Sequence, residues 1–268
     1  MYKLDLKKLA EYAGADFEIV HRHETVSTND DAKRFAKQSA KQFASDSAEY
    51  GFLKPTLFVC DRQTGGRGRI GRSWTDDDGT VCMSLLIKNA VPPRFSQRYV
   101  IAAAVAVQKT LANYADGIRI KWPNDILHNG KKLCGILLES VGNAVIIGIG
   151  INIANSSFSP DIEALAVSMK MITEKNLSAE AIAAETVRLV LSYSKLIAAD
   201  GGFESLLDEY KQVSCTIGQD VSILGADGKK TFGRVTDFDC YGRILLEDGE
   251  KNIITIDCGD VSLRGKDA

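Results

Sequence analysis

Eleven residues of this chain, "TGGRGRIGRSW" from Thr64 to Trp74, hold four glycines and three arginines. Glycine permits tight turns and close approach of another group. Arginine is permanently charged and presents a fork of donors to carboxylates and phosphates. Arg67, Arg69 and Arg72 on such a stretch read as an anion-binding loop that closes over a ligand. A solvated charged turn is the plainer alternative, and Trp74, a large aromatic at the end of the loop, counts against it. The lysine-serine ending of a P-loop and the spacing of a dinucleotide fingerprint are both missing.

Three further segments carry polar chemistry. "STN" (Ser27, Thr28, Asn29) falls at an expected helix start, where free backbone N–H groups and hydroxyls offer donors and acceptors together. An ordinary N-cap would look the same. In "KWPNDILHNGKKLCGILLE", Pro123 stiffens a turn, and a hairpin would return Lys132 toward Asp125, gathering Lys121, Asn124, Asp125 and Lys132. A charged hairpin turn with no further role is the competing reading. "IGIGINI", 147–153, alternates glycine with isoleucine, so one strand face is bare and a helix or a ligand must approach it. Asn152 is the side chain there able to read a base or sugar. Cations, amide readers, one acid and a close-approach strand suit a reaction that brings anions together, such as carboxylate attack on the α-phosphate of ATP. No Ser-His-Asp or Cys-His arrangement stands out, which argues against acyl-enzyme chemistry.

The elements that must position these residues follow from periodicity. Residues 28–44 read as an amphipathic helix with Ala32, Phe35, Ala36 and Phe43 near one face, capped by Thr28 or Asn29. Residues 56–60 and 80–88 read as strands, 96–114 as a helix apolar nearly all round and so buried, and 117–122, 133–140 and 144–151 as short strands. Helices are expected at 178–199 and 201–213, split at Gly201-Gly202. Beyond residue 214, short β-branched runs separated by Asp227-Gly228, Tyr241-Gly242 and Asp248-Gly249 have the pattern of a small all-β barrel. Two domains are expected, 1–213 and 214–268.

With 268 residues and a formal net charge of −2, the chain has no basic surface for bulk binding to nucleic acid or anionic membranes. No apolar run reaches membrane-span length and the first residues lack a signal peptide's apolar core, so a cytoplasmic protein is expected. The six cysteines (60, 82, 134, 215, 240, 258) show no CxxC, which predicts a reduced protein with no zinc site. His21 and His23 could ligate a metal, but no Cys or third His lies near them in sequence.

"STN", "GRGRIGRSW", "KWPNDI", "KKLCGILLE" and "GIGINI" occur in the order and spacing of the biotin–protein ligases, also called biotin–[acetyl-CoA-carboxylase] ligases. The chain resembles that family over nearly its whole length, including the closing "VSLR". The resemblance implies an α/β (α+β) fold: a mixed sheet with flanking helices, related to class II aminoacyl-tRNA synthetases, then an SH3-like barrel. It also implies a two-step reaction in which biotin and Mg-ATP give biotinyl-5′-AMP and pyrophosphate. A lysine of a biotin carboxyl carrier domain then takes the biotinyl group. By resemblance, Ser27, Thr28, Asn29, Gln63, Arg67, Gly68, Arg69, Lys132 and Gly135 bind biotin. Arg69, Arg72, Trp74, Lys121, Asn124, Asn152 and Arg264 serve ATP, and Lys132, Arg69, Asp125 and Lys121 carry the chemistry. Asp125 is left between metal binding and positioning of the amine, and the ligands of Mg2+ are not assigned. Monomer and homodimer both stay open.

The loop is expected to be mobile when empty, because its charges have no obvious internal partner in the sequence. Two departures from the family pattern stand out. Ile70 replaces the second member of a common arginine pair, and only 26 residues precede Ser27, too few for the winged helix-turn-helix of bifunctional members, so no DNA partner is expected. "SMKM", 168–171, superficially matches a biotin acceptor, but the expectation is a helix or strand start that packs Met169 and Met171, leaving Lys170 unmodified. The rival functions are a lipoate-type ligase and a non-catalytic biotin or nucleotide sensor. An RNA-binding module is disfavoured, because aromatics are not interleaved with the arginines.

Overall fold

The computed structural model describes residues 3–43, 54–69, 71–75, 78–88, 91–199, 201–225 and 228–263. Ile70 and Arg264 lie outside them. In chain order the first half comprises α1 (Leu6–Ala13), β1 (Glu18–Thr25), α2 (Thr28–Phe43), β2 (Thr56–Gln63), β3 (Gly66–Arg67), β4 (Ser73–Trp74), β5 (Thr80–Lys88) and α3 (Gln97–Ala112). There follow β6 (Ile118–Lys121), β7 (Asp125–His128), β8 (Lys131–Val141), β9 (Ala144–Asn152), α4 (Met169–Ile172), α5 (Ala179–Leu196) and α6 (Gly202–Val213). The chain then runs through β10 (Asp220–Leu224), β11 (Lys230–Phe238), β12 (Ile244–Glu247), β13 (Ile253–Ile256) and β14 (Asp260–Leu263).

Seven strands form one mixed sheet in the order β1-β2-β5-β9-β8-β7-β6. Only β1 and β2 pair in parallel; a parallel neighbour needs a crossover, and α2 supplies it. Ala32 and Ala36 of α2 close onto Phe58, Leu86 and Ile146, a small core on one face of the sheet. The opposite face carries α3, packed between the sheet and α5 and α6, and this sandwiching explains why α3 is apolar on every side. Five antiparallel strands form the second sheet, in the order β13-β12-β11-β10-β14. Its core residues, among them Val221, Val235, Phe238 and Ile244, belong to the same cluster as the main core. Trp122 ties the two sheets together: its indole N–H donates to the Gly242 carbonyl at 2.9 Å and its backbone N–H to Thr216 Oγ1 at 3.0 Å. Tyr241 stacks on Phe95 nearby, with ring centroids 5.4 Å apart.

Most expected elements form, with corrections. α2 starts at Thr28, and the Ser27 carbonyl accepts from Asp30 and Asp31, so Thr28 and Asn29 sit in the first turn rather than capping it. Five elements escape the periodicity reading. α1 is a short helix whose buried positions are Leu9 and Ala13; β1 is an edge strand, half exposed and rich in charge; β7 lies inside the charged hairpin; and the β3–β4 ribbon has two residues a side. At "SMKM", Met169 is buried but Met171 is 47 % exposed, because a single helical turn cannot turn both methionines to the core. Lys170 donates to Ser156 Oγ at 2.8 Å.

Candidate active site

A cleft opens where α2, β2, the β3–β4 ribbon, β5, β8 and β9 converge. One end is neutral. Ser27, Thr28 and Asn29 are buried. Gln63 Oε1 accepts from the Thr28 backbone N–H at 3.0 Å. Ser84 Oγ, fully buried, lies 2.7 Å from Thr28 Oγ1 and 2.5 Å from Asn29 Oδ1. The Asn29 amide in turn donates to Glu139 Oε2 at 2.7 Å, and Lys33 holds the other Glu139 oxygen at 2.6 Å. This network exists because Gly148 sits opposite Ser84 across the β5–β9 ladder. A Cβ at Gly148 would collide with the Asn29 amide.

Two more glycines build the floor. Gly135 and Gly150 face each other across β8 and β9, and the Trp74 indole lies on both. A Cβ at Gly135 would stand 2.8 Å from Trp74 Cζ3, and one at Gly150 2.6 Å from Cζ2. The bare face expected of "IGIGINI" is therefore covered by a helix side chain at Gly148 and by the loop's own tryptophan at Gly150. Trp74 Nε1 is buried against Gly150 without a hydrogen-bond partner among the described residues.

The other end is charged, and its cations are paired internally. Lys132 Nζ lies 2.7 Å from Asp125 Oδ1 and 5.6 Å from the Trp74 ring centroid. Arg72 reaches Asp260 of β14 at 2.5 Å and Arg69 donates to Asn124 Oδ1 at 3.3 Å, while Arg67, toward the Ser27 end, bonds both oxygens of Asp30 at 2.7 and 2.6 Å. The expectation of loop charges without internal partners is thus corrected: Arg67 and Arg72 find carboxylates on α2 and the second sheet, and Arg69 an amide, all distant in sequence. The Arg67 hydrogen bonds hold the Asp30 carboxyl below its ordinary value. Burial pulls the Arg69 guanidinium's pKa down, opposed by Asp260 and Asp125; it stays charged, as guanidinium does in proteins.

A β-bulge places Lys132. In a regular strand Lys132 and Gly135, three apart, would point to opposite faces. Pairing of β7 with β8 slips at Ile126/Leu127, so Leu127 faces Lys132 while Ile126 faces Cys134. The extra residue re-aims the lysine, and both Lys132 and Gly135 line the cleft. The Lys132 backbone is clamped by the 165–167 segment: its N–H donates to the Leu165 carbonyl at 2.7 Å, and its carbonyl accepts from Val167 at 3.0 Å.

Residues 36–153 match the Biotin/lipoate A/B protein ligase family and residues 216–264 match the Biotin protein ligase C terminal domain. The bifunctional ligase/repressor BirA of Bacillus spizizenii is 32% identical over 235 residues, covering 82% of this chain and 70% of that protein. The chain belongs to the biotin protein ligase family. The biotin–[acetyl-CoA-carboxylase] ligase of Mycobacterium tuberculosis is 28% identical over 213 residues, 76% of this chain and 77% of that one. A solved biotin protein ligase from Aquifex aeolicus in complex with biotin and ATP superposes with a TM-score of 0.74 at 25% identity, over 92% of this chain and 98% of that one.

The ligase cleft gathers most of the residues the sequence singled out: Ser27, Thr28, Asn29, Gln63, Arg67, Gly68, Arg69, Arg72, Trp74, Asn124, Asp125, Lys132 and Gly135 line it. Two do not. Lys121 ends β6, the outermost strand, and stands off the wall. Asn152 is buried at the end of β9, where its amide donates to the Val167 and Lys132 carbonyls at 3.2 and 3.4 Å and its oxygen accepts from Thr80 at 3.3 Å. In this arrangement its amide braces the Lys132 and Val167 carbonyls from behind the cleft wall. Ser84, Glu139, Asp30 and Asp260 complete the site without having been expected there. Ser84 had a signal, a lone serine inside the apolar run "TVCMSLLIK". Asp30 and Asp260 had none beyond adjacency to "STN" and "VSLR".

Proposed function

We propose that the cleft activates biotin with ATP as biotinyl-5′-AMP and that the biotinyl group then passes to a lysine of a carboxylase carrier domain. The supporting observation is the polarity of the cleft, neutral hydrogen-bonding groups at the Ser27 end and paired cations at the Lys132 end, with Trp74 between them. A cyclic urea needs directional neutral partners, which Ser27, Thr28, Asn29 and Gln63 provide. The carboxylate oxygen must attack a phosphorus that already bears negative charge. Lys132 and Arg69 stand where they can offset that repulsion, and both gain as charge builds on the α-phosphate oxygens. Binding of the anions exchanges the internal carboxylates, Asp125 and Asp260, for substrate oxygens. Pyrophosphate leaves with the electron pair of the broken P–O bond, and closure of the loop keeps water from the anhydride.

Mg2+ enters with the nucleotide. Among the described residues of the cleft wall, Asp125 and Asp260 are the carboxylates, and hard oxygen donors of that kind fit it. Asp125 keeps two roles open, contact to the metal and positioning of the acceptor amine. Arg264, Arg72 and Asn124 are assigned to the ATP end, and the division near residue 214 separates the ligase domain from the module that brings Arg264. Monomer and homodimer are both compatible with this reading, and a cytoplasmic setting agrees with it. No helix among the described residues is long and apolar enough to cross a membrane.

Biotin-dependent exchange of labelled pyrophosphate into ATP tests the proposal, with lipoate as the parallel acid. Exchange with biotin and no carrier is expected. Exchange with lipoate alone would reassign the substrate, and exchange with neither acid would favour a sensor.

A further inference from the structure

The two histidines that have no third partner in the sequence acquire one in the fold. His21 and His23, two residues apart on β1, share a face of the sheet. β1 runs parallel to β2 with His21 opposite Val59 and Glu24 opposite Arg62, a register that sets Asp61 beside His23 on the same face. His21 Nε2 lies 2.9 Å from Asp61 Oδ1, and His23 Nδ1 lies 3.0 Å from Asp61 Oδ2. One ligand atom from each residue falls within 4.8 Å of the other two. The Asp61 side chain is 6 % exposed and that of His23 89 %, so a buried carboxylate and an open imidazole flank the same point.

We propose that His21, His23 and Asp61 form a binding site for a divalent transition-metal ion of the zinc class. Imidazole nitrogen and carboxylate oxygen are ligands that such ions accept, whereas Mg2+ takes oxygen almost alone. The site is therefore chemically distinct from any position that Mg2+ occupies with the nucleotide. Metal–ligand bonds of roughly 2.0–2.2 Å place tetrahedral ligand atoms roughly 3.3–3.5 Å apart. The two contacts to Asp61 need to open by only a few tenths of an ångström, and rotation of the exposed His23 ring brings its nitrogen toward that of His21. Three protein ligands leave a fourth position, on the solvent side, for water or an exchangeable group. A bound ion would pin the edge strand β1 to β2. The same two strands lead into the cleft: Asp61 precedes Gln63 by two residues, and the Thr25 carbonyl accepts from Thr64 at 2.9 Å.

The test is calorimetric titration of the full chain with Zn2+, nucleotide omitted so that it does not chelate the ion. The exposed thiols Cys240 and Cys258 compete for zinc, so the background carries Cys240→Ser and Cys258→Ser. One ion per chain is expected, and His23→Ala should weaken it by roughly tenfold or more. His23 is so exposed that the variant should melt as the parent does. Co2+ should give a visible spectrum without a thiolate charge-transfer band, and the band pattern should be lost in the same variant. The proposal is overturned by no ion bound in the parent, by affinity unchanged in both His23→Ala and the His21→Gln/His23→Ala double variant, or by a thiolate band in the cobalt spectrum.

Discussion

At the Ser27 end of the cleft the key side chains are neutral, buried and bonded to one another, while at the Lys132 end they are charged and paired, with Lys132 37 % and Arg72 65 % exposed. The two materials behave differently. Buried neutral hydrogen bonds are expensive to leave unmade, so the Ser27 end is rigid and its cost of ordering is met during folding. Half-exposed ion pairs are worth little in stability, so the Lys132 end can exchange internal carboxylates for substrate anions. One end is thus preformed for recognition and the other is poised for exchange.

The sharpest way to break this contrast is Lys132→Met. The stem is retained, so the melting temperature should stay near the parent's, while single-turnover adenylate formation at saturating substrates should fall by ~10²–10³. Near-normal adenylation in a normally melting variant would make Lys132 a hairpin lysine and move the role to Arg69. Ser84→Ala should do the reverse. Removing a fully buried hydroxyl strips a partner from Thr28 and Asn29, and urea unfolding should report a loss of about 1–3 kcal/mol. Biotin affinity should weaken with ATP affinity intact; an unaltered unfolding curve would show that the Ser27 end is not preformed.

Asp260→Ala releases Arg72 from the second sheet. Its effect on stability should stay at about 1 kcal/mol or below, because the Arg72 partner is largely exposed. Amide exchange over residues 66–72 should rise in the empty protein and return to the parent's rate with biotin and ATP. Equal exchange in variant and parent would mean that the Asp260 contact does not hold the loop. The smallest effect is in acid. Arg67 lowers the folded pKa of Asp30, so the pair's contribution to stability is present above the ordinary carboxylate value and lost as pH falls through the lowered one. The melting-temperature gap between the parent and Asp30→Asn should be constant from neutral pH down to about 4 and narrow below it. A gap that widens in acid would reverse the sign.

Much of the site was legible because its residues cluster in short segments with specific chemistry. The glycines of "GIGINI" announced a close approach, and Trp74 and Asn29 make it. The alanine-rich α3 announced burial on all sides, and two layers of structure cover it. Less was legible where a residue's work depends on a partner far along the chain. The histidine pair looked incomplete until parallel pairing of β1 with β2 brought Asp61 across. That the Asn152 amide meets the Val167 and Lys132 carbonyls was equally hidden, because the 165–167 segment carries no motif. The edge strand β1 escaped because an edge need not alternate apolar and polar residues.

The sequence by itself determined which chemistry was available: cations on a glycine loop, neutral readers ahead of a helix, glycines where an indole must lie, and an apolar helix that has to be covered. These are local properties, set by side-chain type and by periods of two and 3.6 residues. Only the tertiary structure decided which groups meet. A single bulge in β8 turns Lys132 into the cleft beside Gly135, against the alternation of a regular strand. Of the loop arginines, Arg67 and Arg72 rest on carboxylates supplied by α2 and by β14, the latter nearly two hundred residues away along the chain. Strand register and layer packing are collective outcomes of burying the whole core, so no short window of residues encodes them.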